Sequence, residues 1–114
     1  MKVPEALDIE ISVDELARRR GAGETLALLD VREDWEFEQA HLDGAEHIPL
    51  AQLPLHLEQM QQRAQEEIIC YCHSGRRSLN AADWLRRCGC ARARSLAGGI
   101  DAWSVAVDSS IPRY

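Results

Sequence analysis

Ile68-Ile69-Cys70-Tyr71-Cys72-His73-Ser74-Gly75-Arg76-Arg77-Ser78 is the stretch from which the fold can be read. A short apolar run suited to a buried strand ends at Cys72 and crosses a compact polar turn with a glycine and two arginines. It reaches Ser78, where helical spacing begins. A strand–loop–helix passage aims the backbone N–H groups of the loop and the helix start at one point. Cys72 stands at that point, so the stretch reads as a reactive thiolate in a cradle of amides.

Downstream, Leu79, Ala82, Trp84 and Leu85 place a helix from Ser78 to about Cys88, ended near Gly89. Ala93-Arg94-Ser95-Leu96 reads as a last strand. Gly98-Gly99 then breaks the chain before a helix opening at Ile100-Asp101-Ala102-Trp103. Upstream, Asp8-Ile9-Glu10-Ile11 alternates like an edge strand, and Ser12-Val13-Asp14-Glu15 has the form of a capping box before a helix ending at Gly21. Thr25 to Val31 is a near-continuous apolar run, as a central parallel strand requires. Arg32 to Ala40 suits a short surface helix, and Glu46 to Pro49 a short strand. Leu53, Leu57 and Met60 recur at helical spacing, with Pro54 in a first turn. Strands alternating with helices predict an α/β domain whose central, mostly parallel sheet has about five strands, with helices on both faces. Ligands bind such sheets beyond the carboxyl ends of the strands, where Cys72 falls.

The 114 residues suit one domain over 1–114, with a core at about 8–107 and an irregular tail over 108–114. A composition of 46% hydrophobic and 28% charged residues is that of an ordinary globular chain. The net charge of −6 argues against nucleic-acid binding through a broad basic face. Arg18-Arg19-Arg20 is better explained as positive charge in the last turn of a helix. No apolar run is long enough to span a bilayer. Met1-Lys2-Val3-Pro4-Glu5 does not resemble the start of a secretory signal, so the expected compartment is the cytoplasm and the four cysteines are expected as free thiols.

Among those thiols, Cys72 alone has both a helix start and two cations beside it. Cys70 lies inside the apolar run and reads as a small core residue, while Cys88 and Cys90 flank Gly89 at a helix end. Their spacing is not that of a zinc site, although one of them could serve as a resolving cysteine. His41, His47 and His56 are scattered. A Cys–His pair through His41 or His47 is a competing arrangement, whereas His73 is expected to contribute its backbone N–H. The indoles of Trp35, Trp84 and Trp103 are expected in the core or on a cleft wall. Arg32 and Glu36 are expected to pair with each other, Arg77 to orient the loop, and Arg76 to be freer to meet substrate.

The motifs together resemble the rhodanese-like sulfurtransferases. Asp30-Val31-Arg32-Glu33-Asp34-Trp35-Glu36-Phe37 with Ala40-His41-Leu42-Asp43-Gly44-Ala45-Glu46-His47-Ile48-Pro49 is similar to the family's first signature. Cys72 to Ser78 resembles its active-site loop, and Leu96-Ala97-Gly98-Gly99-Ile100-Asp101-Ala102-Trp103 its late Gly-Gly segment. Ala40 and Asp43 depart from the glycine and proline common there. The resemblance implies a persulfide on Cys72 as catalytic residue, with His73, Ser74, Gly75, Arg76, Arg77 and Ser78 around the substrate. It implies no metal and no organic cofactor. A small sulfur-donor anion or a persulfide donor protein would load the cysteine. The stretch from Val107 to Tyr114 is similar to the end of rhodanese domains fused to adenylyltransferases, which implies a sulfur-carrier protein as acceptor. Phosphatases and arsenate reductases of the same superfamily resemble a longer loop, with five residues between cysteine and arginine where this chain has four before Arg77. A non-catalytic rhodanese-like binding module is the third reading, against which the presence of Cys72 counts.

Overall fold

The computed structural model describes residues 7–114, so the reading of Met1-Lys2-Val3-Pro4-Glu5 lies outside the described residues. Five strands form one parallel sheet: β1 (Glu10–Ile11), β2 (Ala27–Asp30), β3 (Glu46–His47), β4 (Ile68–Tyr71) and β5 (Arg94–Leu96), in the order β1-β5-β4-β2-β3. The helices are α1 (Val13–Gly21), α2 (Asp34–Gln39), α3 (Leu57–Gln61), α4 (Arg76–Arg87) and α5 (Gly99–Ala106). A 3-10 turn, Leu50–His56, leads into α3. Pro54 therefore lies within a 3-10 segment rather than in the first turn of an α-helix.

Strand alternation sorts the core into two layers. Ile68, Cys70 and Cys72 face α3 and α4 with Leu29, Val31, Leu53, Met60, Ala81, Ala82 and Leu85. Ile69 and Tyr71 face the other way, with Leu16, Leu28, Leu96, Ile100 and Trp103, under α1 and α5. β4 is central and buried at every position, which is why its sequence is continuously apolar. The order of the strands brings the exits of β2, β4 and β5 side by side.

Several local expectations change. The helix after the loop starts at Arg76, two residues before Ser78, because Gly75 takes a left-handed conformation (φ 104°) as its N-cap. Arg76 and Arg77 thus occupy its first turn, which contains no acidic residue. At α1, Ser12 Oγ accepts from the Glu15 amide at 3.1 Å, while the Glu15 carboxylate faces Arg18 and Arg94. Trp103 is buried and Trp84 packs on the core, but Trp35 is 59% exposed. Among the described residues no helix is long and apolar enough to cross a membrane.

The two-residue edge strand β1 is held from below by Arg94. Its guanidinium donates to the carbonyls of Asp8 and Glu10 and meets Glu67 at 3.1 Å, a carboxylate that Arg19 also binds at 2.6 Å. Arg94→Ala is expected to cost about 2–3 kcal/mol in chemical denaturation, because two carbonyls and part of a largely buried carboxylate lose their partner. Amide exchange at Ile11 should accelerate with it.

Candidate active site

Cys72 follows directly on β4, with 1% of its surface exposed. Its Sγ accepts from the Gly75 amide at 3.1 Å and the Ser78 amide at 3.4 Å, and stands 3.5 Å from Ser78 Oγ. Ser78 Oγ in turn shares a 2.7 Å hydrogen bond with Ser95 Oγ on β5, which fixes the hydroxyl on the sulfur's side of the sheet. Donors directed at one atom from a turn and a helix start favour negative charge on that atom.

The loop is turned this way by α5. The amides of Ile100 and Asp101, in the unbonded first turn of that helix, donate to the carbonyls of Cys72 (2.9 Å) and His73 (3.1 Å). Gly99 permits the approach: a Cβ there would lie 2.4 Å from the His73 oxygen, and its φ is +62°. The late Gly-Gly segment is therefore part of the site's frame as well as a break before a helix.

Arg77 and Arg76 differ in their surroundings. Arg77 binds Glu36 with two hydrogen bonds, at 2.7 and 2.9 Å, which anchors the start of α4 to α2. Arg76 is exposed, with no side-chain partner among the described residues. The expected Arg32–Glu36 pair does not form. Arg32 precedes α2 and turns under β2 to Asp30, with which it makes a buried pair at 2.7 Å, while Glu36 faces Arg77. Burial alone would raise the Glu36 carboxyl, but Arg77, then Tyr114 and the Glu33 amide, outweigh it and hold the group at about 2.

Of the loop residues, Gly75 and Ser78 reach the sulfur. His73 is half-buried with its ring against Tyr114, and Ser74 is exposed. Sequence reasoning missed Glu36 as the partner of Arg77, and missed Ser95 and Tyr114 altogether. No local spacing signals those contacts, which join α2 to α4, β5 to α4, and residue 114 to α2.

His41 and His47 stack on the two sides of Phe37, with ring centroids 3.9 and 4.5 Å away. Their ring nitrogens lie at backbone oxygens of Phe37 and Arg32. Neither shows a contact with Cys72, so the alternative Cys–His pair does not form. The four cysteines are free thiols. Burial pushes the Cys70 thiol up to about 12 and raises that of Cys90, which leaves both protonated and poorly nucleophilic. Among the described residues no three His, Cys, Asp or Glu side chains are grouped to hold a metal ion. A cleft of about 420 Å³ is lined by Arg20, His41, Leu42, Trp103 and Asp108, and by none of residues 72–78.

Comparison with known proteins matches residues 12–106 to the family described as Rhodanese-like domain. A relative from Bacillus subtilis, "Putative sulfur carrier protein YrkF", is 35% identical over 83% of this chain and 50% of its own length. A "Sulfurtransferase" of Allochromatium vinosum is 30% identical over 83% and 87% of the two chains. The Mycobacterium tuberculosis protein "Probable adenylyltransferase/sulfurtransferase MoeZ" is 34% identical over 91% of this chain and 26% of its own. This chain thus spans about half of the first relative and a quarter of the last. A solved structure, SSP1007 of Staphylococcus saprophyticus, superposes with a TM-score of 0.77 over 86% of this chain and 95% of that one, at 28% identity.

Gly99→Ala should displace the loop or strain the αL backbone, lowering stability by about 1–3 kcal/mol and changing the alkylation rate of Cys72. Glu36 provides a pH test. Its folded value of about 2 lies below that of the unfolded chain, so its contribution is complete above about pH 5 and lost as pH falls toward 2. The stability gap between the wild type and Glu36→Gln, measured by denaturant titration, should shrink across that window.

Proposed function

The chain belongs to the rhodanese-like domain family, and from that premise we propose that it is a sulfurtransferase working through Cys72. The reading is carried by the Gly75 and Ser78 amides directed at the Cys72 sulfur beyond the carboxyl end of the central strand. With thiosulfate as donor, the Cys72 thiolate attacks the sulfane sulfur and a new S–S bond forms. The bond to the sulfonate sulfur breaks, and sulfite departs with the electron pair. The terminal persulfide sulfur carries the negative charge, which loop amides are suited to hold. A nucleophilic acceptor then takes that sulfur and returns the thiolate. Exposed Arg76 is free to attract an anionic donor or an acidic partner.

Arg77 supports sulfur over a tetrahedral oxyanion as the group handled. Both terminal nitrogens of its guanidinium are taken by Glu36, and four residues separate it from Cys72, against five in the phosphatase-like loops. The name of the Bacillus subtilis relative and the two-activity name of MoeZ favour a sulfur-carrier protein as partner, and a protein persulfide is the alternative donor to thiosulfate.

Incubation with thiosulfate, or with a persulfide-charged cysteine desulfurase, should add the mass of one sulfur atom to the protein, and Cys72→Ser should abolish the gain. No added sulfur from any donor, together with turnover of a phosphate ester, would move the assignment to the phosphatase relatives. Sulfur retained by Cys72→Ser would move it to another thiol.

A further inference from the structure

Tyr114 belongs to no helix or strand, yet its side chain sits among the residues of the site. Its hydroxyl accepts from Arg32 Nη1 at 3.1 Å and donates to Glu36 Oε2. Its ring meets Trp35 edge-on at 5.7 Å and lies tilted against the His73 ring, with centroids 4.3 Å apart. The stretch leading to it is pinned by Ser104 Oγ on the Ile111 carbonyl and by Arg113 on Asp101. Residues 108–114 contain no helix or strand, and these contacts tie them to α5.

Two observations pull in opposite directions. The hydroxyl bonds two charged partners, which favours the seated ring. Beneath it, His73 Nδ1 is buried with no hydrogen-bond partner among the described residues, a state that costs free energy for as long as it lasts. Cys72, one residue away, is 1% exposed, so a sulfur donor reaches it only after something moves. The ring against which Tyr114 packs is thus the ring that carries the unpartnered nitrogen.

We propose that Tyr114 is a gate over Cys72. Seated, it holds His73 down and keeps the sulfur from solvent. Lifted, it returns His73 Nδ1 to water and opens the way to Sγ. What passes the gate rests on the sulfur-transfer reading above; the gate itself concerns access to a thiol. On that reading the seated ring would shield a terminal sulfur from bulk thiols, and an acceptor able to displace Tyr114 would receive it.

Site-resolved alkylation by iodoacetamide, read by mass at the Cys72 peptide, tests this without any sulfur donor. Tyr114→Phe keeps the ring and loses hydrogen bonds to two charged groups, so Cys72 should be alkylated about tenfold faster than in the wild type. Tyr114→Ala should be at least as fast, and the midpoint of the rate–pH curve should stay where it is, because access changes and the amide donors do not. Wild-type rates in the folded variants would overturn the proposal. So would a displaced midpoint, which would make Tyr114 part of the loop's electrostatics. Should Tyr114→Ala fail to fold, Tyr114→Phe alone decides. A wild type that gains no sulfur, with alkylation still faster in Tyr114→Phe, would remove the sulfur-transfer reading and leave the gate.

Discussion

Two backbone hydrogen bonds, from the Ile100 and Asp101 amides to the carbonyls of Cys72 and His73, set the geometry on which the site depends. A peptide unit is planar, so a carbonyl fixed on one side commits the attached amide to the other. With both carbonyls given to α5, the His73 and Ser74 amides are turned away from that helix, and the Gly75 and Ser78 amides farther along the turn reach Sγ. The first turn of α5 gains acceptors for groups that would otherwise be unpaired. The arrangement works only where two backbones come close, and Gly99 is the residue that allows it.

Around this frame runs a chain of alternating charge. Asp30 holds Arg32, Arg32 donates to the Tyr114 hydroxyl, Tyr114 donates to Glu36, and Glu36 holds Arg77. It ties the ends of β2, α2 and α4 to the stretch after α5, each through a partner that is itself bonded. Buried ion pairs contribute little net stability, but removing one member leaves its neighbour stranded. The chain is therefore better understood as fixing positions than as adding free energy.

The fold was largely legible because it depends on local periodicity. The apolar run ending at Val31 read as a central parallel strand and the one ending at Cys72 as a buried strand, and the alternation of strand and helix implied layers on both faces. The loop was legible for the same reason, being a turn between two periodic segments. Its helix start was misplaced by two residues because Gly75 acts as the N-cap through a backbone conformation rather than a side chain. Pairings decided by tertiary contact were not legible. Arg32 and Glu36 are close in sequence, yet Arg32 pairs with Asp30 two residues before it, while Glu36 reaches Arg77 on α4. Tyr114 lies 78 residues from the Glu36 it bonds. A stretch without periodicity offers no clue to where it packs.

The first turns of α1, α2, α3 and α5 each contain an acidic residue, which suits the positive end of a helix; α4 has Arg76 and Arg77 there instead. Glu36 offsets one of these charges from outside the helix. The other remains unanswered among the described residues, at the end of α4 that faces Sγ. An anionic sulfur on Cys72 would supply the missing counter-charge. On the sulfur-transfer reading that counter-charge is present both in the thiolate and in the persulfide anion, so the helix start keeps its partner through the whole transfer cycle.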